Sequence, residues 1–198
     1  MEGAKTSDRW DSELDAAERL IRSRGTEGWS LADLAEHAGV SAAGLEAEFE
    51  SEWGVFSRVI CRDEERWESA IREAPQSDAS ERVMRLLEAC VPGVDWTFWI
   101  ELWSLALRDD RARGLREELD QRFRALVEEI VQDGVDSGEF AVTDVRSVAI
   151  TIATLIDAMA LQATLGDTTV RPNYMLDACA TVASALLGTQ LSLPQLDE

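Results

Sequence analysis

The sequence predicts an all-α fold. Three observations carry the prediction. Apolar residues recur at spacings of three and four along most of the chain. Alanine, leucine, glutamate and arginine, which all favour helices, are abundant. No segment pairs a sustained period-two pattern with hairpin turns.

The elements follow in order. Asp11 or Ser12 can cap a first helix that ends at Gly25, with Leu14, Ala17 and Ile21 on one face. Ser30 starts a second helix, and Asp33 at its third position makes a capping box. Leu31, Leu34, Ala35 and Ala38 form its apolar side, and Gly39 stops it by accepting a left-handed backbone. Ser41 caps a third helix over Ala42 to Phe49. The LEAEFESEW stretch alternates apolar and acidic residues, a strand-like period, but it is short and lies between strong helical segments. A fourth helix is predicted over 53–73, ending before Pro75. Residues 74–80 read as a loop. Five longer helices follow at 80–91, 95–109, 111–137, 143–165 and 172–187. Pro92-Gly93, Asp109-Asp110, Gly138, Gly166-Asp167 and Pro172 separate them. The last residues, 189–198, read as a flexible tail.

Composition narrows the function. The 198 residues are 45% hydrophobic and 29% charged, enough for a sizeable core. No run of 18 apolar residues suggests a membrane span, and the first residues carry no apolar secretory core. A cytoplasmic location is expected. Cys61, Cys90 and Cys179 are too few and too scattered for a disulfide framework or a metal site. No nucleophile elbow, phosphate-binding glycine loop or His-acid pair is present, so no catalytic residue, metal or cofactor is assigned. The single histidine, His37, falls on the polar side of the second helix and reads as a surface residue. Nineteen basic residues face thirty-nine acidic ones, a net charge of −20, which repels nucleic acid at long range.

The segments LDAAERLIRSRG, SLADLAEHAGVS, LEAEF and ESEW resemble the N-terminal domain of TetR-type transcriptional regulators. Ala35, Gly39, Val40 and Ser41 match at fixed offsets. The region FWIELWSLALRDDRARGLREELDQRFRALVEEIVQDGVDSGEF, with LIDAMALQATLG, resembles the BetI-type C-terminal domain of the same family. The resemblance implies a three-helix helix-turn-helix domain over 1–57. A linking helix would join it to a helical effector-binding and dimerisation domain over 58–188. It implies operator DNA, a small-molecule effector, and a second copy or a related regulator as partners.

By resemblance the DNA-contact positions are Ser30, Ala32, Ser41, Ala42, Ala43, Glu46, Ala47, Glu48 and Glu52. Their chemistry does not suit DNA. Where the family shows something like SKGTLYHHFPSKE, this chain has SAAGLEAEFESEW. Between Gly25 and Ser57 there is no lysine or arginine, but seven acids and one histidine. Phosphate contacts from Lys and Arg supply nearly all non-specific affinity. An acid about 7 Å from a phosphate costs on the order of 0.5 kcal/mol at water-like dielectric. One glutamate can read cytosine; four need another explanation. The alternative to an operator-binding regulator is a family member that acts through protein contacts, as a heterodimer partner or anti-repressor. Arg9, Arg22, Arg24 and Arg58 are the cations that would have to reach this face.

Two further features are expected to carry function. Trp96, Trp99, Ile100 and Trp103 form an aromatic stripe that reads as core or as the lining of an effector pocket, with Phe123 and Asp157. An aromatic box beside an acid such as Glu101 would hold a cation against its ring faces. Asp157 sits in an otherwise apolar helix, so it must be paired, hydrogen-bonded, protonated or placed at a wet interface. In the resemblance the last two long helices pack against their copies. Val148, Ile152, Leu155 and Met159 are the expected interface stripe, with Met175 and Ala178 from the last helix.

Overall fold

The computed structural model describes residues 10–73, 78–90 and 96–191, and among them it has nine helices and no strand. The first four are α1 (Asp11–Arg24), α2 (Leu31–Ala38), α3 (Ala42–Phe49) and α4 (Glu52–Glu73). The rest are α5 (Ala79–Cys90), α6 (Thr97–Ala106), α7 (Asp110–Ser137), α8 (Val145–Thr164) and α9 (Pro172–Leu187). The Pro92-Gly93 break, most of the 74–80 loop and residues 192–198 lie outside the described residues.

Local chemistry sets the short N-terminal helices. Ser30 accepts from the Asp33 amide, and the Asp33 carboxylate accepts from the Ser30 amide at 2.8 Å, which closes a full capping box. Gly39 ends α2 with φ 71°, a conformation that costs a side-chain-bearing residue but not glycine. Ser41 accepts from the Gly44 amide and starts α3. The cap of α1 differs from expectation. Trp10 holds the N-cap position without a side-chain capping bond, and the Ser12 hydroxyl donates to Glu13.

Two clusters of buried side chains form the core. Leu14, Leu34, Leu45, Phe49, Phe56 and Val59 close the α1–α4 unit, and Phe98, Leu102, Ala112 and Leu119 from α6 and α7 complete the same cluster. The N-terminal unit therefore does not own its core: α6 and α7 seal its underside, and a cut at residue 57 would expose Phe56 and Leu102. The second cluster joins α5, α7, α8 and α9 around Leu87, Ile130, Ile156 and Met175. Arg62, only 8% exposed, ties α4 to α1 through Asp15 at 2.9 Å and Glu18 at 3.2 Å.

Three expectations change. Part of the expected interface stripe faces inward. Ile152 is 2% exposed and Met175 0% within the single chain, while Val148, Leu155 and Met159 pack on the same core. Helix α8 is wide enough in its apolar surface to show a second stripe, and the open one carries Ile150. The tail is not loose at its root: Leu191 is 2% exposed and its amide donates to Ser184 Oγ. Finally, α8 is long and apolar enough to cross a membrane by composition, with a mean hydropathy of 1.5. Its inner face packs on α7 and α9, yet only 28% of that window is buried.

Candidate functional site

A cavity of about 60 Å³ lies where α4, α5, α6, α7 and α8 meet. Glu64 and Trp67 come from α4, Ala89 and Cys90 from α5, and Trp96 and Trp99 from the start of α6. Asp120 and Phe123 come from α7, and Asp157 from α8. The space suits roughly four water molecules, or a small organic molecule of few atoms.

Hydrogen bonds fix the aromatic walls. Trp96 Nε1 donates to the Cys90 carbonyl at 3.1 Å, and Trp99 Nε1 donates to Glu64 Oε1 at 3.1 Å. Trp67 meets Phe123 edge-on at 5.7 Å between ring centres. Trp96, Trp99 and Trp103 then run as a tilted series at 6.3 and 6.2 Å.

The acids are strained electrostatically. Burial raises the Glu64 carboxyl to about 7, against the Trp99 hydrogen bond and the Arg122 charge, which both pull it down. Burial, helped by the Asp120 charge, raises Asp157 to about 6, against Arg124 and Arg116. Asp120 is also raised by burial, though Arg116 at 2.8 Å and Arg124 at 3.3 Å compensate it. Burial pushes the Cys90 thiol well up, with Glu64 and Asp157 adding to the effect. That thiol is a buried apolar neighbour, not a nucleophile.

Trp96, Trp99, Phe123 and Asp157 line the same cavity. Ile100 and Trp103 are not among the lining residues; Trp103 stands behind Trp99 as a packing partner. Glu101 is not the pocket acid. Its carboxylate accepts from Thr26 Oγ1 at 2.8 Å and binds α6 to the α1–α2 corner. Glu64 takes the place expected of Glu101, and Glu64, Trp67, Cys90 and Asp120 were not anticipated. A signal for Glu64 does exist: it sits between Ile60 and Trp67 at four- and three-residue spacings, on the inward face of α4.

The second candidate surface is the α2–α3 face. Ala32, Ser41, Ala43, Glu46, Ala47 and Glu48 are exposed there, and Ser30 and Ala42 are half-buried. Ser30 and Ser41 are occupied as caps, and Ala42 packs on the domain core. Glu52 does not point outward: its carboxylate accepts from the Leu31 amide at 3.1 Å, at the first turn of α2. Nor do cations converge. Arg22 binds Glu18 at 2.9 Å and lies over Phe98, Arg24 lies 3.8 Å from Asp33, and Arg58 is an exposed residue of α4. Arg9 lies outside the described residues.

Residues 14–58 match the family model for bacterial regulatory proteins of the tetR family. Residues 79–188 match the model for the C-terminal domain of BetI-type transcriptional repressors. No curated protein is significantly similar in sequence. Among solved structures, a TetR transcription regulator from Haloarcula marismortui superposes with a TM-score of 0.79 at 20% identity, covering 94% of this chain and 100% of its own. A protein from Saccharomonospora viridis, assigned as a transcriptional regulator and solved in complex with choline, gives 0.77 at 23% identity, covering 87% and 94%. A protein from Rhodococcus sp. assigned to the TetR family gives 0.80 at 20%, covering 91% and 99%.

Proposed function

This chain belongs to the TetR family of bacterial regulatory proteins, with a BetI-type C-terminal domain, and we propose that it is a cytoplasmic, ligand-responsive regulator whose effector is a small ammonium-bearing molecule. The observation that carries this is the cavity itself, in which indole and phenyl rings stand beside two carboxylates, Glu64 and Asp157, that form no ion pair among the described residues. Ring faces and a carboxylate attract an ammonium group together, at about 2 kcal/mol or more per desolvated cation–π contact. The Saccharomonospora viridis protein of the same fold holds choline, which supports the choice of class. Helix α6 links sensing to output, since Trp99 lines the cavity and Glu101, two residues on, holds Thr26 beside α2.

A homodimer is the expected assembly, formed through the open sides of α8 and α9. Ile150 at 41%, Tyr174 at 53% and Val182 at 37% exposure supply its apolar surface, with Ala178 at its edge.

The test is titration of the intact protein with alkylammonium ions, followed by tryptophan fluorescence and calorimetry. Saturable binding that Trp99→Ala weakens at least tenfold is expected. A protein that binds no amine at millimolar concentration overturns the reading.

A second reading concerns output, and the bond from Leu31 to Glu52 favours it. A helix N-terminus that receives a DNA phosphate must have free amides, and here an internal carboxylate fills the first turn of α2. With Glu46 and Glu48 exposed beside it, the surface suits a protein partner better than duplex DNA. Duplex binding near 50 mM salt, where the electrostatic term is large, decides between the two: tight, salt-sensitive binding defeats this second reading.

A further inference from the structure

Two carboxylates without an ion pair among the described residues line the cavity, Glu64 from α4 and Asp157 from α8. Glu64 on α4 is surrounded by the charges of Asp63 and Glu68 on its own helix and Arg122 on α7. Asp157 on α8 is surrounded by a different set, Asp120, Arg116 and Arg124, all on α7. Glu64 and Asp157 thus enter one cavity from different helices, with Cys90 of α5 in its wall, and form two acidic poles.

Neither pole is neutralised from within. Among the described residues the one hydrogen bond to Glu64 comes from a neutral indole, because Arg122 pairs its guanidinium with Glu68 at 2.7 Å. Asp157 makes no hydrogen bond or ion pair among the described residues, because Arg116 and Arg124 both turn to Asp120. The walls between the poles are apolar: Trp67, Ala89, Trp99 and Phe123. A ligand with a single positive charge would satisfy one pole and leave the other carboxylate desolvated without a partner, which is unfavourable.

We propose that this cavity takes a short aliphatic diamine, with one ammonium group at Glu64, the other at Asp157, and the methylene chain against the Trp67, Trp99 and Phe123 rings. The inference rests on the ammonium-sensing reading above and sharpens it to a dication. Below about pH 7 at Glu64 and about pH 6 at Asp157, each ammonium end must replace a proton that burial holds on the carboxyl. Affinity therefore rises with pH between about 6 and 8, where both carboxyls ionise and alkylammonium groups, with pKa values near that of lysine at about 10, stay charged.

Calorimetry on the full chain at pH 7.5 compares butane-1,4-diamine, pentane-1,5-diamine, n-butylamine and choline. At least one diamine is expected to bind ten times or more tighter than n-butylamine and choline, and to bind more weakly at pH 6. Asp157→Asn, an isosteric change checked for folding by circular dichroism, is expected to lower diamine affinity to the n-butylamine level. Glu64→Gln is expected to do the same from the other pole. If n-butylamine or choline binds as tightly as the diamines, or Asp157→Asn leaves the diamine preference intact, the two-pole inference is overturned while the ammonium-sensing reading stands. If no amine binds, both fall.

Discussion

Glu64 shows how one carboxyl couples stability to pH. Its folded pKa of about 7 lies above the ordinary value of 4.5. Between those two values the folded chain holds a proton that the unfolded chain releases. The group thus favours folding at low pH, and that advantage is lost as pH rises through 7. The loss amounts to about 3 kcal/mol at most, at 1.36 kcal/mol per pKa unit. Glu64→Gln keeps an acceptor for Trp99 and removes the titration. We expect the variant to be more stable than the parent in urea at pH 8, with the gap closing by pH 5. An equal difference at both pH values would mean that the carboxyl is hydrated in the empty cavity. Glu50 presents strain of another kind. It ends α3 with φ 64°, and it is the only side-chain-bearing residue with positive φ among the described residues. Its side chain is exposed, so Glu50→Gly should raise stability by about 1 kcal/mol. A loss on denaturation would show that the glutamate makes a compensating contact.

At the scale of elements, α3 and the start of α4 carry the argument about DNA. Ala42→Lys, Glu46→Tyr and Glu52→Lys together restore the chemistry that the family resemblance implies. Duplex binding with a steep inverse salt dependence should appear in an electrophoretic shift series. The variant also gives up the Leu31–Glu52 bond, at a cost of about 1 kcal/mol, which its urea midpoint should register. A folded triple variant that still ignores DNA would place the defect in the geometry of the unit, not its charge. The elements themselves were legible because their starts and stops are local: the caps Ser30 and Ser41 and the terminating Gly39 and Gly138 act within four residues of where they stand. The ends of α6 were less so. Its N-terminal Trp96 and C-terminal Leu107 have no capping side chain, and their placement depends on what the helix packs against.

For the whole molecule, the pocket was half legible. Trp96, Trp99, Phe123 and Asp157 are aromatic or apolar-flanked and advertise burial in sequence. Glu64 and Asp120 sit in charge-rich runs of α4 and α7, and only the crossing of those helices turns them inward. The same limit applies to the interface stripe, since periodicity finds an apolar face but not which neighbour covers it. The burial of Ile152 yields a paired prediction. Ile150→Arg should produce a folded monomer by light scattering, because that side chain is 41% exposed in the single chain. Ile152→Arg should instead unfold the chain, as a charge would enter the core without a partner. A dimeric Ile150→Arg protein would move the interface away from α8.

The three thiols give the protein a built-in measure of breathing. Cys61 is half-buried, whereas Cys90 and Cys179 lie in the core, and burial raises Cys179 to about 11. Burial and the Glu65 and Glu118 charges raise the Cys61 thiol too, but as the most accessible of the three it should be alkylated first. The other two should react only as often as α5 and α9 part from their neighbours. Cys90 forms part of the cavity wall, so a molecule lodged there should slow its alkylation while leaving Cys61 at its original rate. The ratio of the two rates would report occupancy of the cavity by itself.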